Sequence, residues 1–121
     1  MESLEKAILA MDTISDRKAV DPVLFEVGGM TSIADYFIVA SGNSSRQVQS
    51  ISQHLTRKMR DEKCRTIGVE GEQEGQWVLL DFGDLVIHLF YQPVREQFDL
   101  EGLWIEAPRI NPDEHKKERQ S

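Results

Sequence analysis

The residues best equipped for chemistry lie in one short stretch, Asp81-Phe82-Gly83-Asp84. Two carboxylates so close together could hold a divalent metal on a sheet, as a nucleotidyl-transferring enzyme requires. The same residues also spell a tight turn. Gly and Asp suit a two-residue hairpin loop, and a catalytic metal pair calls for two carboxylates on one strand face with a third nearby. The turn is the stronger reading. Asp81-Phe82-Gly83 also matches a kinase triplet, but no H-R-D catalytic loop accompanies it. Neither G-x-G-x-x-G nor G-x-x-x-x-G-K-S/T occurs, so nucleotide hydrolysis loses its best support. His54, His88 and His115 fall on a helix, a strand and a tail, without the spacing of a zinc helix. Cys64 is the single cysteine, which excludes an internal disulfide and a cysteine-based zinc site. Lys63 and Arg65 beside it would favour the thiolate, but a bystander thiol is the better reading. The expectation is a chain with no catalytic residue, no metal and no cofactor. A metal-dependent nucleotidyltransferase is the alternative.

The elements that must position these residues follow from periodicity. Leu4, Ala7, Ile8, Met11 and Ile14 recur at helical spacing, predicting a helix from Ser3 to about Asp16. Asp21-Pro22 interrupts the chain before a strand over Val23 to Val27, closed by Gly28-Gly29. A second strand runs from Asp35 to Ser41. Ser44 and Gln47 then form a capping box ahead of a long helix whose apolar stripe is Val48, Ile51, Leu55 and Met59. The run Arg57-Lys58-Met59-Arg60 reads as its solvated end. A short strand at Thr66 to Glu70 precedes two apolar runs flanking Gly83-Asp84, a hairpin signal. With that loop, Leu80 pairs with Ile87, Leu79 with His88 and Trp77 with Phe90. One hairpin face then carries Val78, Leu80, Phe82, Leu85, Ile87, Leu89 and Tyr91; the other carries Trp77, Leu79, Asp81, Val86, His88 and Phe90. Pro93 starts a short helix reaching Leu100.

This order predicts an α/β domain over residues 1–109, with two principal helices packed on one face of a mixed sheet of about five strands. Residues 110–121 are expected to form a disordered charged tail, because they offer little apolar surface to offset ordering entropy. The second sheet face, with Trp77, His88 and Phe90, has no obvious cover and is expected to meet a partner or a twin subunit. The alternative is that the last helix and Trp104 fold over it.

Composition narrows the partner. The 121 residues include 14 Lys and Arg against 21 Asp and Glu, a net charge of −7. Nucleic-acid affinity rests on clustered cations, so primary binding to nucleic acid is not expected and a basic protein is the more natural partner. The apolar runs fall far short of the ~20 residues of a membrane-crossing helix. The acidic start, Met1-Glu2-Ser3-Leu4-Glu5-Lys6, has no apolar signal core, and a cytoplasmic location is expected.

Taken together, several segments are familiar as words. Thr31-Ser32-Ile33-Ala34-Asp35-Tyr36-Phe37-Ile38-Val39-Ala40-Ser41-Gly42, followed by Ser44-Ser45-Arg46-Gln47-Val48, resembles the core block of the ribosomal silencing factor family, also called iojap-related. Glu70-Gly71 before Trp77-Val78-Leu79-Leu80-Asp81-Phe82-Gly83-Asp84 and Val86-Ile87-His88-Leu89-Phe90 resembles its central hairpin. Arg95, Asp99-Leu100-Glu101, Leu103 and Trp104 resemble its closing motif, while Gln97-Phe98 departs from an expected aromatic pair. The resemblance spans about residues 3 to 105.

It implies a nucleotidyltransferase-like topology without that activity, and a translational repressor that binds the large ribosomal subunit through ribosomal protein uL-fourteen. Occupying that surface blocks association with the small subunit. It also implies a homodimer in the free state. Under this reading the partner-binding candidates are Glu70, Trp77, Asp81, His88, Phe90, Arg95, Asp99 and Glu101. In the tail, Asp113, Glu114 and Glu118 cancel Lys116, Lys117 and Arg119, so only a peripheral contact with ribosomal RNA is envisaged there.

Overall fold

The computed structural model describes residues 1–114. The expectations for the rest of the tail, and for His115, lie outside the described residues. Helix α1 spans Ser3–Asp16 and helix α2 spans Ser45–Asp61, as their apolar stripes predict. The Ser44 hydroxyl accepts the Gln47 backbone N–H at 3.0 Å, the first half of the capping box. The Gln47 side chain reaches back to the N–H of Asn43 at 2.7 Å, one residue earlier than the motif's usual partner.

The strands are β1 (Val20–Glu26), β2 (Tyr36–Gly42), β3 (Gly68–Glu70), β4 (Trp77–Asp81), β5 (Leu85–Tyr91) and β6 (Arg109–Ile110). They form one mixed sheet in the order β3-β4-β5-β2-β1-β6, in which β2 and β5 run parallel and the other pairs antiparallel. The sheet therefore has six strands rather than five. The extra strand straddles the boundary drawn between domain and tail: Arg109 pairs with Phe25 and Ile110 with Leu24, and the Pro108 carbonyl accepts the Glu26 N–H at 2.8 Å. Two residues are too few to leave a periodic signal.

Asp21-Pro22 proves to be a bulge inside β1, not a break before it. Val20 pairs with Ser41 and Val23 with Val39, which leaves one extra residue in β1, and Asp21 takes a φ of 45°. A bulge is one of the few places where a strand admits proline.

The hairpin adopts the predicted register, Trp77 to Phe90, Leu79 to His88 and Leu80 to Ile87, with the Phe82 N–H donating to the Leu85 carbonyl at 2.8 Å. Helices α1 and α2 cover the first face, where Ile14, Leu24, Ile38, Ile51, Leu55, Leu80 and Ile87 are fully buried. Lys6 on α1 donates to Asp84 of the hairpin turn at 2.7 Å.

The second face is not bare. The helix begun by Pro93 divides at Asp99, whose φ of 46° separates α3 (Gln92–Phe98) from α4 (Leu100–Leu103). Val94, Leu100 and Trp104 pack on a second cluster of Phe25, Val27, Phe37, Val39, Val86 and Phe90. The last helices and Trp104 thus fold over most of this face, the alternative reading, because a kinked helix pair is wide enough to shield several strands.

Candidate partner-binding face

The β3–β4 edge is what the cover leaves open. Glu70 pairs with Leu79, and Leu79 with His88, so the three side chains form a row across the second face. Trp77 and Asp81 flank Leu79 on the same side of β4. A groove of about 340 Å³ is lined by Glu70, Gly71, Trp77 and Leu79. Gly71 has a φ of +80°, and a Cβ there would stand 2.2 Å from the Trp77 carbonyl oxygen. Only glycine lets the loop close this tightly on β4.

Trp77 is half-buried and held from several directions. Its ring lies 4.9 Å from that of Phe90 and 5.1 Å from that of Phe98. Its Nε1–H donates to His88 Nδ1 at 3.1 Å, which requires the neutral histidine to carry its proton on Nε2. His88 is 6% exposed, edge-on to Phe37 at 5.4 Å. Burial pulls its pKa down to about 4, so the ring is uncharged at neutral pH.

The candidates therefore separate into three places. Glu70 is exposed, and Trp77 and Asp81 are partly exposed, beside the groove. His88 and Phe90, the latter with 0% exposure, lie beneath them in the core. Burial corrects the expectation that both present a free surface. Asp81 Oδ1 accepts the Gly83 N–H at 2.8 Å, which ties that carboxylate to the turn.

Arg95, Asp99 and Glu101 lie elsewhere, around a polar cleft of about 530 Å³ lined also by Asp21, Glu96 and Arg109. Arg95 is buried, and its guanidinium is committed within the fold. Nε donates to Glu101 Oε1 at 2.8 Å, Nη1 to the Val20 carbonyl and the Ser41 hydroxyl at 3.0 Å, and Nη2 to the Asp21 carbonyl at 2.8 Å. Ser41 in turn donates to the Gln92 side-chain carbonyl. The arginine thus satisfies both carbonyls of the β1 bulge. Asp99 is exposed at the α3–α4 junction.

Periodicity did not single out the apolar residues that the cover turns outward: Phe98, Leu103 and Ile105 are 54%, 75% and 75% exposed. Phe98 closes α3, Leu103 closes α4 and Ile105 follows it, and helices this short leave no clear apolar stripe. Among the described residues, no group of three or more His, Cys, Asp or Glu is arranged to hold a metal ion, and no helix is long and apolar enough to cross a membrane.

Comparison with known proteins agrees with the sequence resemblance. The family model described as "Ribosomal silencing factor during starvation" matches residues 1–121. A ribosomal silencing factor of Halalkalibacterium halodurans is 36% identical over 110 residues, covering 91% of this chain and 94% of that protein. A mouse protein named for mitochondrial assembly of the ribosomal large subunit is 30% identical over 99 residues, covering 79% of this chain and 43% of its own length. The crystal structure of a Chromobacterium violaceum protein superposes with a TM-score of 0.84 at 36% identity, covering 86% of this chain and 87% of that one.

Proposed function

The chain belongs to the ribosomal silencing factor family, and from that premise we propose that it is a non-enzymatic translational repressor. In this reading it binds the large ribosomal subunit through ribosomal protein uL-fourteen and blocks association with the small subunit by occupying the docking surface. The observation that carries the reading is the groove at the sheet edge. Trp77 and Leu79 supply apolar contact area, Glu70 sets a carboxylate at its rim, and Asp81 adds another beside it. An aromatic floor with acidic borders suits a basic protein, since aromatic groups anchor interfaces and opposite charge speeds encounter. Steric exclusion needs no catalytic group.

The binding unit in this reading is residues 1–109, acting in the cytoplasm. Its sheet follows a nucleotidyltransferase-like arrangement without that chemistry, for Asp81 is held by the turn and Asp84 by Lys6. When free, the chain pairs with a second copy, and the exposed Phe98, Leu103 and Ile105 offer apolar area for such contacts.

Sedimentation of the purified chain with separated subunits tests the proposal. Co-migration with the large subunit alone, together with inhibition of subunit joining, is the expected result. Failure to co-migrate, or unhindered joining at saturation, overturns it.

A further inference from the structure

We propose that His88 is a positioning residue, which fixes the indole of Trp77 in the orientation that lines the groove without itself meeting the partner. The inference rests on the groove being the partner-binding surface, and it assigns His88 a role different from contact.

The geometry is specific. Trp77 and His88 sit on neighbouring strands, and the indole could rotate about its two side-chain torsions if packing alone held it. Phe90 and Phe98 limit the tilt of the ring but offer nothing to its N–H. His88 Nδ1, at 3.1 Å, is the group that receives that hydrogen. A partly buried indole N–H without an acceptor is costly, so rotamers that break this bond are disfavoured. His88 is held in turn by Phe37 edge-on at 5.4 Å and by the nearly parallel ring of Phe90 at 6.4 Å. Its burial keeps the ring neutral at neutral pH, and the hydrogen bond from the indole selects the tautomer with the proton on Nε2, leaving Nδ1 as the acceptor. Leu79, the cross-strand partner of His88, lines the groove beside Trp77. A histidine that never reaches the partner can in this way decide which edge of the tryptophan does.

Nitrogen-15 NMR of the intact chain reads the bond directly. The expected spectrum shows an unprotonated Nδ1 and a protonated Nε2 on His88, and a Trp77 indole N–H exchanging at least tenfold more slowly than in His88→Leu. Affinity for the large subunit should fall about tenfold in His88→Leu. It should be largely restored in His88→Asn, whose side-chain carbonyl can stand near the place of Nδ1. In a Trp77→Phe background, which has no N–H to hold, His88→Leu should cause no further loss. Should His88→Leu fail to fold, the wild-type spectrum and His88→Asn decide alone. A proton on Nδ1, unchanged indole exchange, or loss of affinity that persists undiminished in the Trp77→Phe background overturns the inference. If the wild-type chain does not bind large subunits at all, the proposed function fails, whereas the NMR result still stands or falls by itself.

Discussion

The indole Nε1–H of Trp77 donates to Nδ1 of His88 at 3.1 Å, joining the aromatic side chain that lines the groove to a histidine inside the core. The bond couples surface to interior, and it makes the protonation state of one buried ring matter to the fold.

Acid should therefore destabilise the protein over a defined window. The pKa of His88 is about 4 in the folded chain, against an ordinary value of 6.5. Above the ordinary value the ring is neutral in both states and contributes no pH dependence. Between the two values the unfolded chain binds the extra proton, so stability falls as pH falls, by about 1.4 kcal/mol per pH unit at most and about 3 kcal/mol in all. Urea denaturation at a series of pH values should show this slope in the wild type. His88→Asn should lack that part of it; an identical slope would assign it to other groups.

Arg95 should behave as a structural residue. Arg95→Met leaves the Val20 and Asp21 carbonyls, the Ser41 hydroxyl and the Glu101 carboxylate without their shared donor. The expected loss is about 2–4 kcal/mol, and Arg95→Lys should recover only part of it because an ammonium cannot reproduce the planar fork. Chemical denaturation measures both. A variant as stable as the parent would free Arg95 for a role at the surface.

Gly71→Ala should disturb the groove. The new methyl would meet the Trp77 carbonyl at 2.2 Å, at a φ of +80° where alanine is itself strained. A cost of about 2 kcal/mol or more is expected, with loss of large-subunit binding exceeding what destabilisation alone explains. Glu74→Ala at an exposed position of the same loop provides the comparison. Wild-type binding by a folded Gly71→Ala chain would show that the loop does not shape the site.

Chain length should matter on one side of β6 only. A chain ending at Ile110 retains the Leu24 and Phe25 pairings and the Arg109 guanidinium 5.2 Å from the Phe25 ring centroid, so it should keep its thermal midpoint and its block on subunit joining. A chain ending at Ala107 loses these together with the bond from the Glu26 N–H to the Pro108 carbonyl, and should be less stable by about 1–2 kcal/mol. A clear loss of inhibition on cutting after Ile110 would instead assign the tail a contact of its own.

Association should also weaken with salt. Glu70→Lys reverses the exposed rim charge and should slow binding to large subunits at low ionic strength, with the difference shrinking as salt rises. Stopped-flow or surface-based kinetics would show it; rates that ignore salt would leave only the steric part of the mechanism.

The elements whose signals are local were legible in the residues themselves. The stripe Val48, Ile51, Leu55 and Met59, the Ser44 cap and the Gly83-Asp84 loop each depend on neighbours within a few positions, and the hairpin register follows because side chains alternate with period two. Family membership was equally legible, since the motif blocks keep their order along the chain. What tertiary structure alone decided is which of the candidate side chains remain available. Arg95 reads as a partner-binding residue of the closing motif until its acceptors arrive from 75, 74 and 54 positions away. His88 and Phe90 read as a free face until Phe37 and Trp77 close on the histidine, Trp77 on Phe90, and Leu100 and Trp104 pack on the cluster that holds Phe90. Burial is a property of what packs against a residue, and packing between distant segments leaves no periodicity near the residue that it covers.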